Sequence, residues 1–292
     1  MDRQISVKGP YNFFQALKRL KIDPLNDIDF EKQAIKIPLI INEKPVVVRL
    51  QQIGTVEAPI FRIVTFTNIE KAEEAEVFCQ LERIFHWDVP LEDVYHYFKE
   101  TDLGALFERY RGTPFVCDFN LYGSLMKTII HQQLNMAFAY ELSKRFVMNF
   151  GQEIDGVWFY PSPETVSKLK VEELRELQFS QRKAEYVIDT SKLIANNQLH
   201  LDSMRTLEDE EVIEKLVAIR GIGRWTAECF LMFGLGRMDL FPIQDIGIQN
   251  GLKKYFQLNI KPTKEDMLQK SEAWKPYRTY TSLYLWESIE TD

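Results

Sequence analysis

The sequence is poor in the features that mark specialised classes. Its three cysteines, Cys79, Cys117 and Cys229, are spread over 292 residues. They are too few and too widely spaced for a structural zinc site, a four-cysteine cluster or a disulfide framework, and they fit a reducing compartment. The longest apolar runs, such as residues 37–41 and 46–48, fall far short of the ~20 residues a membrane span needs. The charged start, MDRQISVKGPYNFF, lacks the apolar stretch of a signal peptide. The expectation is a soluble, cytoplasmic protein without a membrane partner. Internal repeats and low-complexity tracts are missing, which argues against solenoids and linkers. Positive charge is also in short supply: 36 basic residues face 43 acidic ones, for a net charge of −7. Neither half of the chain is basic, so the usual electrostatic footprint of a nucleic-acid binder is absent.

What is present is an ordinary globular composition, 45% hydrophobic and 27% charged. The length suits about two domains, and such a chain buries roughly 75% of its unfolded surface without staples. The first hundred residues read as mixed. Residues 11–20 carry apolar side chains at helical spacing (Phe13, Phe14, Leu17, Leu20), and three strand-like runs follow at 34–41, 45–53 and 60–67. An acidic helix from 69 to 85 completes a small antiparallel sheet with flanking helices. After about residue 90 the strand-like runs stop and helical patterns follow one another, among them 121–150, 182–195, 210–219, 225–235, 246–255 and 277–287. Ser162-Pro163 and Thr263 read as helix starts. The predicted class is α+β: an N-terminal α/β accessory domain with connecting helices over 1–112, and an all-α domain over 113–292.

The informative stretch is residues 216–256, LVAIRGIGRWTAECFLMFGLGRMDLFPIQDIGIQNGLKKYF. A helix ends, Gly221-Ile222-Gly223 makes a turn too tight for most side chains, and a second helix begins at about Arg224. A helix N-terminus beside such a turn can hold a phosphate on backbone amides and dipole, with no basic patch. A glycine turn needed only for packing would look the same in isolation. The wider pattern, Leu-x-x-Ile-x-Gly-Ile-Gly-x-Trp-Thr-Ala with an Asp 22 residues beyond Gly223, is more specific. It resembles the helix-hairpin-helix DNA glycosylases, in particular 3-methyladenine DNA glycosylase II of the AlkA type. The similarity extends to LYGSLMKTIIHQQLNMAFAYEL (121–142), which resembles the helix leading into the DNA-penetrating loop. It includes LRELQFSQRKA (174–184), with Gln178 where glycine is usual, and WKPYRTYTSLYLW (274–286), which resembles the C-terminal signature.

The resemblance implies a role for each matching residue. Asp245, also a natural helix N-cap, becomes the catalytic carboxylate, opposite an oxocarbenium-like sugar. Asp239 is its close competitor, on the far side of Pro242. Trp225 stands where glycosylases with lyase activity carry a Schiff-base lysine, which implies a monofunctional enzyme. Trp225, Trp286 and Cys229 would line the base pocket. Trp286 would stack on the extruded base, where a cation gains ~0.5–2 kcal/mol; core packing is the alternative for both tryptophans. Cys229 replaces a usual pocket tyrosine. Gln133 would be the wedge that fills the gap left by the flipped base, and His131 beside it reads as a packing residue. Amides of Gly221, Gly223 and Thr226 would bind a DNA phosphate. Carbonyls of Val217, Ile219 and Ile222 would suit a structural monovalent cation, with no cofactor or catalytic metal required. Arg182 and Lys183 could reach phosphate or simply be solvated, and Arg278 would support the C-terminal helix. The implied function is removal of alkylated purines of the 3-methyladenine and 7-methylguanine type from double-stranded DNA by a monomeric enzyme. A non-catalytic helix-hairpin-helix protein that binds damaged or bent DNA is the alternative.

Overall fold

The computed structural model describes residues 1–290. It is α+β, as the patterning predicts. Strands β1 (Asp2–Ser6), β2 (Asp27–Asp29), β3 (Ala34–Ile41), β4 (Lys44–Gln52) and β5 (Ile60–Thr65) form one antiparallel sheet in the order β1-β5-β4-β3-β2. Helix α1 (Phe13–Leu20) lies between β1 and β2 in the chain, and α2 (Lys71–Phe85) follows β5. The three strand-like runs are the three central strands. The outer two, β1 and β2, escape sequence reading for a physical reason. Edge strands are held by backbone bonds and keep polar side chains in water, so β1 (DRQIS) and β2 (DID) carry no alternation to read. The Asp2–Arg62 ion pair ties β1 to its neighbour instead.

The helical part runs through α3 (Leu91–Phe98), α4 (Gly104–Arg109), α5 (Leu121–His131) and α6 (Met136–Phe150). The single helical pattern at 121–150 is therefore two helices. Gln133 takes a left-handed φ of 57° between them, and the side chain of Asn135 caps α6 by accepting from the amide of Phe138. A short hairpin, β6 (Gln152–Ile154) and β7 (Val157–Phe159), follows α6, in a region whose pattern predicts only helices. Val157 and Phe159 pack on Val47 of the sheet, covering its second face. That explains why Val46-Val47-Val48 can be apolar without alternation.

The chain continues through α7 (Pro163–Ser167), α8 (Val171–Glu176), α9 (Gln181–Ala195) and α10 (Asp209–Val217). Then come α11 (Arg224–Cys229), which runs on into a π turn at Phe230–Gly234, α12 (Ile246–Tyr255), α13 (Lys264–Ser271) and α14 (Arg278–Glu290). The starts read at Ser162 and Thr263 are N-caps, accepting from the amides of Thr165 and Asp266. Residues 279–288 of α14 are buried all round, so this helix is the axis of the helical part rather than an amphipathic surface helix. One hydrophobic core runs from Tyr11 and Phe61 of the sheet region to Trp286 of α14. No helix among the described residues is long and apolar enough to cross a membrane.

His86, in a left-handed conformation at the end of α2, is buried with Nε2 3.2 Å from the Cys117 sulfur. Burial lowers its pKa to about 4 and pushes the thiol up to about 12, so the pair is neutral. The unfolded chain therefore takes up this proton first. The histidine's contribution is intact above pH 6.5 and lost as pH falls towards 4, on the order of 3 kcal/mol. Urea denaturation at pH 7 and pH 4.5 should show a smaller drop for His86→Asn, since Asn tolerates the left-handed backbone. An equal drop would mean that His86 takes no part in the acid response.

Candidate active site

The loop before α12 sets the site. The amide of Asp245 donates to the Pro242 carbonyl (2.9 Å), which turns the chain, and Asp245 then caps α12 by accepting from the amide of Ile248 at Oδ1 (2.9 Å). The cap leaves the carboxylate facing two indoles. Nε1 of Trp286 donates to Oδ1 (2.9 Å) and Nε1 of Trp225 donates to Oδ2 (3.0 Å). Three N–H groups from three helices thus hold one half-buried carboxylate in a single orientation. Gly247 makes this possible. A Cβ there would stand 2.8–2.9 Å from the Trp286 indole and 2.9 Å from Asp245 Oδ1.

Trp225 is the second residue of α11, and Cys229 lies one turn further along the same face. Cys229 is buried, and its thiol is pushed well above the usual range by burial and then by the Asp245 charge. Trp286 is 8% exposed. It stacks on Phe233 of the π turn, with centroids 5.8 Å apart and planes at 25°, and the Arg19 guanidinium of α1 lies over its ring at 5.4 Å. π turns inside helices are frequent at functional sites. Asp239 is engaged elsewhere. Its carboxylate receives Nε and Nη2 of Arg278 at 2.7 and 2.9 Å, a bidentate pair at the start of α14. Arg278 thus supports the C-terminal helix and removes the competing carboxylate.

The Gly-x-Gly turn lies between α10 and α11. Gly221 has φ +92°, and a Cβ on it would be 2.2–2.5 Å from the Tyr186 ring of α9. Gly223 caps α11 with an extended backbone and is open, with no atom within 4 Å of where a Cβ would be. The first amides of α11 have no partner within the helix. The neighbouring arginines are already paired, Arg220 with Glu185 and Arg224 with Glu210 and Glu228. Thr226 is buried, and its hydroxyl accepts from Nε2 of Gln132 (2.8 Å), which also donates to the Gly221 carbonyl (2.9 Å). Val217 ends α10, and Ile219 and Ile222 follow on the turn, which is closed by the Ile222 amide donating to Ile219 O (3.0 Å). Their carbonyls are neutral oxygen donors of the kind alkali cations take.

Gln133 is exposed at the tip between α5 and α6. Lys183, read as a phosphate contact or a solvated side chain, turns inward. Its Nζ donates to the carbonyls of Ile130 and of Gln132 (2.9 Å), and burial lowers its pKa to about 8. Arg182 stays exposed. His131 packs edge-on to Tyr140 and bonds Ser143 (3.0 Å), and burial brings its pKa to about 3. Gln178 has φ +76°, which explains why glycine suits that position; Arg145 Nη1 anchors its side chain at 2.5 Å.

The structure therefore gathers Asp245, Trp225, Trp286 and Cys229 into one cluster, and fixes the Gln133 tip beside the glycine turn through Gln132. Sequence reasoning passed over Gln132, Arg19 and Gly247. The first two act through contacts distant in sequence, while Gly247 had a signal in the Asp-x-Gly spacing.

A family model described as "HhH-GPD superfamily base excision DNA repair protein" matches residues 126–276. A Bacillus subtilis protein whose name assigns it provisionally as a DNA-3-methyladenine glycosylase is 47% identical over 288 residues, covering 98% of this chain and 99% of its own. The structure of 3-methyladenine DNA-glycosylase from Archaeoglobus fulgidus shares the fold with a TM-score of 0.85 over 99% of both chains, at 24% identity. A Schizosaccharomyces pombe 3-methyladenine DNA glycosylase in complex with abasic DNA aligns with a TM-score of 0.60 and 29% identity, covering 67% of this chain and 95% of that one.

Proposed function

The chain belongs to the HhH-GPD superfamily of base excision DNA repair proteins, and we propose that it is a monofunctional DNA glycosylase acting on alkylated purines of the 3-methyladenine and 7-methylguanine type. The observation that carries the reading is the Asp245 carboxylate, held by the α12 amide and two indole N–H groups. As the C1′–N bond of an extruded purine breaks, positive charge grows on the sugar, and a preorganised carboxylate stabilises it. Asp245 also accepts the proton of the water that adds to C1′. The departing base is already cationic, so it leaves as a neutral or readily neutralised molecule, and an abasic site remains. The names of the relatives support the substrate class.

Trp225 occupies the position where a lyase needs an amine, and an indole forms no Schiff base. Around the chemistry, Trp225, Trp286 and Cys229 form the base pocket and Gln133 fills the gap left in the duplex. The amides of Gly221, Gly223 and Thr226 take a phosphate, and the carbonyls of Val217, Ile219 and Ile222 would hold a monovalent cation if one binds. Binding through amides rather than cations accounts for a DNA partner despite the negative net charge. A duplex with one alkylated purine should yield strand breaks only after alkali, and borohydride should trap no covalent complex. Breaks without alkali, together with a trapped complex, would overturn the monofunctional reading.

A further inference from the structure

Trp286, which the proposed function places in the base pocket and the resemblance assigns to stacking on the extruded base, is already covered. With 8% of the residue exposed, a flat base reaches the ring only by displacing a neighbour. Phe233 is the less movable one, because it stacks in turn on the fully buried Phe115 at 4.9 Å and 28°. Arg19 is the more movable. Its side chain is 21% exposed and flexible, and its Nη1 is held by two carboxylates, Glu287 at 3.3 Å and Glu290 at 3.2 Å. Those carboxylates keep the guanidinium paired when it leaves the ring.

We propose that Arg19 is an entry gate: it occupies the cation position over Trp286 in the free protein and must be displaced by any purine that stacks there. The inference rests on the reading of Trp286 as the stacking platform. Displacing Arg19 forfeits a cation–π contact. A cationic alkylated purine restores one with its own charge, whereas a neutral, undamaged purine does not. The gate thus weakens entry of every purine by one contact, and the charge of an alkylated base offsets that loss. It also comes from α1 of the sheet region, which gives the N-terminal part of the chain a role in base entry.

The test is nucleoside binding by equilibrium dialysis at pH 7, with 1-methyladenosine as the cationic probe and adenosine as the neutral one. Arg19→Met and Arg19→Gln should bind both probes about 3- to 30-fold more tightly than wild type, the range of one cation–π contact. Arg19→Lys, which keeps a cation over the ring, should resemble wild type. Unchanged or weaker binding in both neutral variants, with melting temperatures within a few degrees of wild type, would overturn the gate. Tighter binding by the variants, beside a wild type that releases no purine from methylated duplex DNA, would contradict the glycosylase reading and leave the gate standing.

Discussion

Asp245→Asn should fold and bind duplex DNA like the wild type while releasing alkylated purines about 10²–10³-fold more slowly, the range seen when one preorganised stabilising group is lost. Asn is as good an N-cap as Asp, so the bond from the Ile248 amide survives and α12 keeps its start. The charge does not survive. The indole N–H of Trp225 also comes to face an amide N–H instead of an oxygen, because the remaining oxygen keeps the bonds from Ile248 and Trp286. Single-turnover release measured beside DNA affinity separates these effects. A variant with the wild-type rate would show that another group bears the reaction, and Asp239 would be a poor candidate given its bidentate pairing with Arg278.

The two glycines of the hairpin should both matter for DNA binding but differ in their effect on stability. Gly221→Ala places a Cβ 2.2–2.5 Å from the Tyr186 ring at φ +92°. The ring and backbone must both move, at an expected cost of about 2–4 kcal/mol in stability, and DNA binding should be lost with the hairpin geometry. Gly223→Ala adds its methyl to open space on an extended backbone. Stability should change by less than about 0.5 kcal/mol, whereas DNA affinity should fall, because the methyl stands where a phosphate has to approach the α11 amides. Urea denaturation and a DNA-binding titration on the two variants measure both. Wild-type affinity in Gly223→Ala would move the phosphate site away from this turn.

The legibility of the sequence differs from element to element. The central strands were readable because their apolar runs are long, and β1, β2 and the β6–β7 hairpin were not, because they are short and hold together by backbone bonds. The α5–α6 break is hidden by apolar spacing that continues through it; only the left-handed Gln133 and the Asn135 cap divide the pattern. At the site, the Gly-x-Gly turn and Asp245 stand out locally. The roles of Gln132 and Lys183, which fix the α5 end to the hairpin and to α9, depend on contacts 51 to 94 residues apart. Arg19 over Trp286 is more distant still, and no local pattern announces it.

Hydrolysis of the glycosidic bond of alkylated purines through Asp245 is decided by incubating methylated duplex DNA with the wild type and with Asp245→Asn and quantifying the free purine bases by chromatography. Free 3-methyladenine or 7-methylguanine is expected from the wild type and almost none from the variant. Equal release by both would contradict the role of the carboxylate, and no release by a wild type that binds the DNA would contradict the enzyme itself.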